Sequence, residues 1–335
     1  MVAVIILCVL IAAGYRIYER IYAANILISD DPQFLMIPTS ASFDKVCTLL
    51  LEAGLQNEAS FRWTAHRMNY PDRVKAGRYR LPNGMNNIEL VRMLRSGRQI
   101  PVKVTFNNIR TGAQLAGKVA VVIETDSAGI AALFSDDVFL NKHHLTPETA
   151  ISVFIPNTYE FQWNTSAKQF WERMLKEHTR FWNEERRRKA DAIEMTPLQV
   201  SILASIIEEE TQMNDEKPMM ASVYINRLQR AMPLQADPTL KFAAGDFSIR
   251  RILDKHKEIQ SPYNTYLHTG LPPGPICMPS VASLDAVLNY KKSDYLYFCA
   301  KEDLTGYHNF SKTLAQHNRN AEAYQKALNK LRIYN

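Results

Sequence analysis

Three consecutive glutamates, Glu208, Glu209 and Glu210, end an apolar stretch in the second half of the sequence. A glutamate that stays protonated near neutral pH can act as a general acid, and burial in apolar surroundings is one way to raise the pKa of its carboxyl group. The chemistry available to this segment therefore depends on which of the three side chains the fold buries.

The segment TPLQVSILASIIEEETQ predicts the helix that positions these glutamates. Thr196 and Gln199 form a capping box, with a proline at the first helical position. A rotation of about 100° per residue gathers the apolar side chains on one face, with Glu210 near its centre, Glu209 at its edge and Glu208 nearly opposite. We therefore expect Glu210 to be the buried carboxyl group and Glu208→Gln to be almost silent. The apolar face consists of Val200, Ile202, Leu203, Ile206 and Ile207.

Periodicity alone leaves two interpretations of the glutamates. Glu210 is either a general acid, or part of a solvated acidic helix end in which a buried cation compensates its charge. The same ambiguity applies to SPYNTYLHTGLPPGPICMPS, which holds five prolines and two glycines in twenty residues. Rigid Pro/Gly surfaces, aromatic faces, amides and hydroxyls suit sugar recognition, but such a segment also suits a loop that covers a core.

The C-terminal segment DYLYFCAKEDLTGYHNFSKTLAQHN predicts two strands joined by a turn, followed by a helix that contains His317. His308 is a candidate for contact with a substrate oxygen, with a satisfied structural histidine as the alternative. Upstream, LQADPT places Asp237 before a proline, which favours an extended backbone at that position.

A small α+β module is predicted between residues 34 and 101. FLMIP has strand character, Ser40 or Ser42 is placed to cap a helix that stops at Gly54, and a second helix is expected at 60–68. A short strand at 79–81 and a helix ending at Gly97 complete it. From residue 102 onward, a strand and longer helices predict a larger mixed α+β domain that extends to residue 335.

The first fifteen residues carry no charge and predict a membrane-targeting segment. We favour an uncleaved anchor at 1–23, followed by a tether at 24–33, because three tyrosines are placed to form an interfacial belt. A cleaved signal peptide is the alternative, since a span needs roughly 20 apolar residues. The arginines that follow the segment run against the positive-inside rule for an outward-facing body.

Composition is that of an ordinary globular chain of about two domains. The 335 residues are 46% hydrophobic and 22% charged, and the formal net charge is +6. This mild charge permits an anionic polymer or a membrane surface as partner but does not require one. The four cysteines show no metal-site spacing, so we expect free thiols and no metal.

In order along the chain, several blocks resemble the YceG-like family of membrane-anchored endolytic murein transglycosylases. The resemblance implies an α+β protein with an N-terminal anchor (1–23), a LysM-like peptidoglycan-binding module (34–101) and a catalytic domain (102–335). It covers essentially the whole chain and is carried by KAGRYRL, FIPNTYEF, ASIIEEET, SVYINRLQ, LQADPT, SPYNTYLHTGLPPGPI and HNFSKTLAQHN.

The family motif ExE implies that Glu210 is the catalytic acid and base. The reaction that it catalyses closes a 1,6-anhydro ring on the cleaved sugar. Glu209 stands where relatives are expected to carry lysine, which adds negative charge beside Glu210. The resemblance also implies no cofactor, no nucleic-acid partner, and a single-pass protein of the cytoplasmic (inner) membrane with its catalytic domain outside. Its expected partners are glycan strands, that membrane and peptidoglycan synthases. The glycan-binding candidates are Asn226, Gln235, Asp237, Tyr263, Asn264, Tyr266 and His308.

Two other functions remain open at this point. One is a hydrolytic muramidase, in which Asp237 or Glu160 is the second carboxylate that hydrolysis of a glycosidic bond requires. The other is a LysM-like scaffold without catalytic activity, in a complex that assembles the cell wall. The products of glycan cleavage separate the first from a transglycosylase, and a tolerated Glu210→Gln substitution identifies the second.

Overall fold

The computed structural model describes residues 1–29, 33–249 and 252–330, and over these ranges the fold is mixed α+β, as predicted. Strands in these ranges form three two-stranded sheets, β1 with β2, β3 with β4 and β5 with β6. The strands are β1 (Gln33–Ile37), β2 (Gly77–Leu81), β3 (Val102–Phe106), β4 (Asn157–Phe161), β5 (Tyr297–Ala300) and β6 (His308–Ser311). The helices are α1 (Val2–Tyr22), α2 (Phe43–Glu52), α3 (Glu58–Arg67), α4 (Asn87–Ser96), α5 (Gly112–Ala120), α6 (Ser127–Ala132), α7 (Asp137–Lys142), α8 (Ala167–Phe181), α9 (Glu184–Asp191), α10 (Pro197–Glu210), α11 (Lys217–Gln229), α12 (Asp237–Ala244), α13 (Asp254–Lys257), α14 (Val281–Leu288) and α15 (Leu314–Lys330).

The chain divides into two compact units. The first comprises Met1–Val104, Val119–Asp126 and Tyr159–Ser166, and the second comprises Thr105–Lys118, Ser127–Thr158 and the described part of Ala167–Asn335. The cysteines are free thiols, as predicted, and are Cys8, Cys47, Cys277 and Cys299.

The small module of the first unit follows the order β1, α2, α3, β2, α4. β1 pairs antiparallel with β2, with Leu35 opposite Tyr79 and Ile37 opposite Gly77. Alternate strand residues are buried against the helices, as period-two patterning requires. The resulting core contains Ile26, Leu35, Ile37, Val46, Leu50, Phe61, Tyr70, Tyr79, Leu81, Leu90 and Leu94.

Local sequence determines where the helices of this module begin and end. Of the two serines predicted as caps, Ser42 fills the role, and its side chain accepts a hydrogen bond from the Lys45 amide at 3.2 Å. Asn86 and Glu89 form a capping box at the start of α4. Gly97 ends α4 in the left-handed conformation at φ 72°, which glycine adopts without steric cost.

The segment predicted as a tether is in part attached to the module. The Asn25 and Ile26 amides donate to the Met85 carbonyl, the Leu27 amide donates to the Gly54 carbonyl, and Ile26 is fully buried. Ile26 is held there because it contributes to the apolar core. Residues 30–32 of the predicted tether lie outside the described residues.

Helix α1 is long and apolar enough to cross a membrane, with a mean hydropathy of 2.0 over an 18-residue window and no buried residue in that window. Its last turn is fixed to the module. The Arg20 carbonyl accepts hydrogen bonds from Asn87 Nδ2 at 2.7 Å and from Ser60 Oγ at 3.0 Å. These side chains satisfy a carbonyl that a helix end leaves without an internal partner.

Helix α10 is central to the core of the second unit. It packs against α9, α11, α12 and α14, and every residue from Val200 to Ile207 is buried. Glu208, which we expected to lie nearly opposite the apolar face, is mostly covered as well, since its side chain is 16% exposed. The face opposite the apolar stripe is also covered, because α11 and α14 pack on this helix and enclose small polar residues such as Ser201 and Ser205.

Candidate active site

Helix α10 carries Glu210 as its last residue. The capping box of Thr196 and Gln199 starts the helix as predicted, and the backbone becomes extended at Thr211. The C-terminal end of a helix carries partial negative charge, so an ionised carboxylate is disfavoured at this position.

Glu210 lies in the wall of a cleft of about 240 Å³. The Tyr224 hydroxyl, on α11, donates to Glu210 Oε1 at 2.7 Å. Burial raises the pKa of Glu210 to about 7, although the hydrogen bond from Tyr224 acts in the opposite direction. The cleft is lined by Glu210, Tyr224, Arg227, Leu234, Gln235, Asp237, Tyr266, Phe298 and His317.

A second carboxylate, Asp237, is in the same cleft at the start of α12. It accepts a hydrogen bond of 2.6 Å from the Tyr266 hydroxyl. Its negative charge raises the pKa of Glu210, whereas the nearby Lys241 lowers it. Burial, followed by the bond to Asp237, raises the pKa of Tyr266, so Tyr266 remains a protonated donor.

Arg227 shapes the cleft by holding the turn that carries Gln235. Its Nη1 donates to the Pro233 and Leu234 carbonyls at 3.1 and 2.9 Å, and its Nε donates to the Leu296 carbonyl at 2.7 Å. Gln235 adopts a positive φ of 51°, and its amide donates to the Thr265 carbonyl at 3.0 Å. The guanidinium thus stabilises a strained turn that presents Gln235 to the cleft.

The neighbouring glutamates have different surroundings. Glu208 Oε2 accepts hydrogen bonds from Lys217 Nζ at 3.1 Å and from the Ser280 and Ser283 hydroxyls. Burial alone would raise its pKa, but these hydrogen bonds and the Lys217 charge outweigh burial and hold the pKa of Glu208 below its ordinary value. Glu209 forms an ion pair with Arg110, whose Nη2 lies 2.7 and 3.0 Å from the two carboxylate oxygens.

The predicted glycan-binding residues fall into two groups. Gln235, Asp237 and Tyr266 line the cleft with Glu210. The other four contact protein groups elsewhere. These are Asn226, Tyr263, Asn264 and His308.

The two asparagines of that second group have their amide nitrogens engaged by backbone carbonyls. Asn226 donates to the carbonyls of Ser293 and Tyr295, at 2.8 and 2.9 Å. Asn264 is fully buried and donates to the carbonyls of Lys257 and Ile259, each at 2.9 Å. Both therefore fix loops around the cleft rather than presenting an amide to it.

Tyr263 and His308 are also placed outside the cleft lining. The Tyr263 ring packs on Phe242 with centroids 4.6 Å apart. His308 Nδ1 lies 2.8 Å from Glu216 Oε2, and its backbone amide donates to Glu216 Oε1 at 2.7 Å. The His308 ring also contacts Phe298 edge-on, so it supports a residue that does line the cleft.

Sequence reasoning missed Tyr224, Arg227 and His317. Tyr224 and Arg227 are three residues apart on α11 and so share a helix face, whereas Asn226 is two residues from Tyr224 and faces another direction. The three-residue spacing of Tyr224 and Arg227 within SVYINRLQ already indicated that they share a helix face. No local pattern distinguished His317 from His308, since the choice depends on how β6 and α15 pack.

The described residues contain no group of three or more His, Cys, Asp or Glu side chains placed to hold a metal ion. That the protein works without a metal stays a prediction.

Comparisons with known proteins place this chain in a family. The model of the YceG-like family matches residues 35–323. The chain is 31% identical over 310 residues to the endolytic murein transglycosylase of Bacillus subtilis, which covers 88% of this chain and 85% of that protein. It is 26% identical to the endolytic murein transglycosylase of Streptococcus pneumoniae serotype 2, over 97% of this chain and 65% of that protein. It thus spans just under two thirds of the pneumococcal protein.

A solved structure gives the same relationship. The crystal structure of a yceG-like protein from Listeria monocytogenes matches with a TM-score of 0.58 at 31% sequence identity. The match covers 87% of this chain and 99% of that one. A family match over residues 35–323, together with relatives of this identity and coverage, is sufficient for assignment. The chain belongs to the YceG-like family.

Proposed function

We propose that this protein is an endolytic murein transglycosylase that cleaves the bond between N-acetylmuramic acid and N-acetylglucosamine in glycan strands. The observation that carries the proposal is Glu210, a carboxyl group with a pKa raised to about 7 in the wall of a cleft. A group with such a pKa is able both to give and to take a proton near neutral pH. The family assignment and the named relatives support the same activity.

In the first step, protonated Glu210 donates its proton to the glycosidic oxygen as the bond to the anomeric carbon of N-acetylmuramic acid breaks. The leaving sugar departs as a neutral alcohol, and positive charge develops on the anomeric carbon. The Tyr224 hydroxyl fixes the orientation of the carboxyl group during this transfer, because it is bonded to Oε1.

In the second step, the Glu210 carboxylate removes the proton from the 6-hydroxyl of the same sugar. The hydroxyl oxygen then bonds to the anomeric carbon and closes the 1,6-anhydro ring. The proton balance is complete, since Glu210 ends the cycle protonated and no water is consumed. One acid/base group is therefore sufficient, in contrast to hydrolysis, which usually needs two carboxylates.

Gln235, Asp237 and Tyr266 are the proposed glycan-binding residues of the cleft. Their amide, carboxylate and phenol groups suit the hydroxyl and acetamido groups of a sugar. Phe298 and Leu234 add apolar surface to the same cleft. Asn226, Tyr263, Asn264 and His308 are proposed to act on glycan binding only through the loops and packing that they hold in place.

A hydrolytic muramidase is the competing enzyme, and the position of Asp237 is the observation that favours it. Asp237 shares the cleft with Glu210, whereas Glu160 is an exposed residue of β4 that does not line it. In a muramidase, Asp237 would activate water or attack the anomeric carbon. The hydrogen bond that Asp237 accepts from Tyr266 is equally compatible with a role of Asp237 in binding the glycan.

Product mass distinguishes the two reactions. The full chain, in detergent, is incubated with purified peptidoglycan sacculi, and the released fragments are analysed by mass spectrometry. We expect 1,6-anhydro ends from the wild-type chain and none from Glu210→Gln. Ends heavier by one water would identify a muramidase, and Asp237→Asn would then abolish them. Equal glycan cleavage by wild type and Glu210→Gln would contradict catalysis by this residue.

For the module, we propose a LysM-like role in binding peptidoglycan. The order β1, α2, α3, β2 around an antiparallel strand pair supports this proposal. Deleting residues 34–101 would also remove the surface that holds Ile26 and the end of α1, so surface substitutions on the module are the better test. Such variants should bind sacculi less tightly. A non-catalytic scaffold would show the same binding loss but no product release by the wild-type chain.

Helix α1 is proposed to be a retained single-pass anchor that leaves the body of the protein outside the cytoplasmic membrane. Its length and hydropathy support a span. Protease added to spheroplasts should digest the body. Full protection would contradict this orientation, and a mature N-terminus near Tyr15 would identify a cleaved signal. Membrane-bound peptidoglycan synthases are proposed as neighbours on the same side.

A further inference from the structure

His317, on α15, lies in the wall of the same cleft as Glu210, and neither the acid/base steps nor the proposed glycan contacts use it. Its Nδ1 is enclosed and has no hydrogen-bond partner among the described residues. Its Nε2 is not enclosed in this way, and the ring borders the cleft. A polar ring that leaves its hydrogen-bonding capacity unused beside a cleft is available to a ligand.

The His317 ring is held in a defined orientation. It stacks on the Tyr297 ring with centroids 5.5 Å apart and an angle of 27° between the planes. The Arg227 guanidinium is 5.2 Å from the centroid of the same tyrosine ring. Because Tyr297 and Arg227 are both fixed by the fold, His317 is preorganised for directional contact.

The direction of the pKa shift of His317 favours the neutral imidazole at the pH at which Glu210 is half protonated. Burial, followed by the positive charge of Arg227, lowers the pKa of His317 below its ordinary value of 6.5. A neutral imidazole has one donor and one acceptor nitrogen. An enclosed N–H group without a partner is costly, which favours the tautomer in which Nδ1 is the acceptor and Nε2 carries the proton.

We propose that His317 is a glycan-positioning residue, which donates a hydrogen bond from Nε2 to a hydroxyl or acetamido oxygen of the sugar beside Glu210. This inference rests on the proposed function, because it takes the glycan strand as the occupant of the cleft. It assigns to α15, near the C-terminus, a direct part in substrate binding. His317 orients the substrate and does not exchange the catalytic proton.

Two substitutions separate hydrogen bonding from stacking. His317→Phe keeps an aromatic ring against Tyr297 but removes the donor, and His317→Gln supplies an amide donor without a ring. We expect His317→Phe to lower kcat/KM by about five- to tenfold, mostly through KM, the loss typical of one hydrogen bond. His317→Gln should recover activity to within about threefold of wild type. Thermal unfolding checks that both variants fold.

Binding is measured separately in the Glu210→Gln background, with uncrosslinked glycan strands as the probe. Adding His317→Phe should weaken affinity by the same factor of about five to ten. The ¹⁵N resonance of His317 Nε2 should also shift when glycan is added, whereas His308, which is paired with Glu216, should not respond. This resonance reports on the unsubstituted histidine, so it tests the inference even if a variant fails to fold.

The possible failures are distinguishable. If the wild-type chain releases anhydro ends but His317→Phe equals wild type and the Nε2 resonance is unmoved, the inference is wrong and the proposed function stands. Activity retained by His317→Phe and lost by His317→Gln would identify a stacking role and also overturn it. If the wild-type chain releases no anhydro ends, the proposed function fails, and the affinity and resonance measurements still decide whether His317 binds glycan.

Discussion

Glu208 and Glu210 are two residues apart on α10, are both partly buried, and have opposite pKa shifts. Glu208 contacts an ammonium group and two serine hydroxyls. Glu210 contacts one tyrosine hydroxyl and experiences the negative charges of Asp237 and Glu209. The pKa of Glu208 is lowered, whereas that of Glu210 is raised to about 7.

The difference teaches that burial is not sufficient to make a carboxyl group an acid catalyst. Burial raises the pKa of both residues, and the groups that surround each carboxylate decide the result. Around Glu208, four donors, of which the fourth is the Ser280 backbone amide, stabilise the ionised carboxylate. Around Glu210, a single donor and like charges leave the proton mobile. The substitutions below test this contrast.

The largest effect is expected for Glu210→Gln. Glutamine keeps the size of the side chain but cannot transfer a proton, so activity should fall by roughly 10²–10⁴-fold. Stability should survive. A folded-state pKa raised to about 7 means that Glu210 favours folding below its ordinary value of 4.5 and that this contribution is lost as the pH rises through about 7. Replacing the carboxylate with a neutral amide should therefore not lower the free energy of unfolding at pH 8.

The measurement is the rate of anhydro-end release by each variant, with circular dichroism as the folding control. If Glu210→Gln retains more than about a tenth of the wild-type rate, where general acid catalysis predicts a loss of at least roughly 10²-fold, the residue is not the catalyst.

Glu208→Gln is expected to destabilise the fold, contrary to the expectation of a silent change. It leaves the Lys217 ammonium, whose side chain is 4% exposed, without its counter-charge. Removing one partner of a buried pair costs about 3 kcal/mol or more. Chemical denaturation at pH 7 measures the loss. Glu185→Gln is the control, and little change is expected because Glu185 pairs with Lys189 at the exposed surface.

The loss should depend on pH in a defined direction. The folded-state pKa of Glu208 lies below its ordinary value of 4.5, so its contribution is present above that value and disappears as the pH falls through the folded-state pKa. Equal stability of wild type and Glu208→Gln at neutral pH would show that the surrounding donors do not stabilise an ionised Glu208 carboxylate.

Tyr224→Phe should affect activity less than Glu210→Gln does. The variant loses the hydrogen bond that orients Glu210, so the rate at neutral pH should fall by about tenfold. Since that bond lowers the pKa of Glu210, the decline of activity at high pH should move to higher pH in the variant. Tyr263→Phe leaves the lining of the cleft intact and serves as the control. An unchanged pH profile of Tyr224→Phe would contradict the effect of the Tyr224 hydrogen bond on the pKa of Glu210.

The smallest effect is expected for Glu209→Gln. Removing this charge, and leaving Arg110 without its partner, both lower the pKa of Glu210, so the decline of activity at high pH should begin at lower pH. Arg110→Gln should shift the profile in the opposite direction, because it leaves the Glu209 charge uncompensated. Shifts of the same sign in the two variants would contradict an electrostatic role for the pair.

The sequence predicted the features that depend on local patterns. The capping box fixed the start of α10, and the periodicity after it placed Glu210 near the apolar face. The cap at Ser42 and the helix end at Gly97 are visible in the residues themselves. These signals are reliable because each rests on backbone hydrogen bonds or rotation angles within one helix.

The features that were missed depend on packing between distant segments. The partners of Glu208 come from α11 and from Ser280 and Ser283, more than seventy residues away from it, so no helical wheel could reveal that its face is covered. Local sequence does not show which of His308 and His317 borders the cleft, because that depends on the packing of β6 and α15. Tyr224 was within reach, because its spacing from Arg227 on α11 is a local signal.

The most direct test of the account is the titration of the glutamate carboxyl groups by ¹³C NMR in the full chain, with Glu210 and Glu208 assigned from the two glutamine variants. We predict one carboxyl resonance that titrates near pH 7 and is absent from Glu210→Gln, and a Glu208 resonance that titrates below 4.5. A Glu210 carboxyl group that titrates at or below 4.5 would contradict the account, because no acid would then be present at the pH of the reaction.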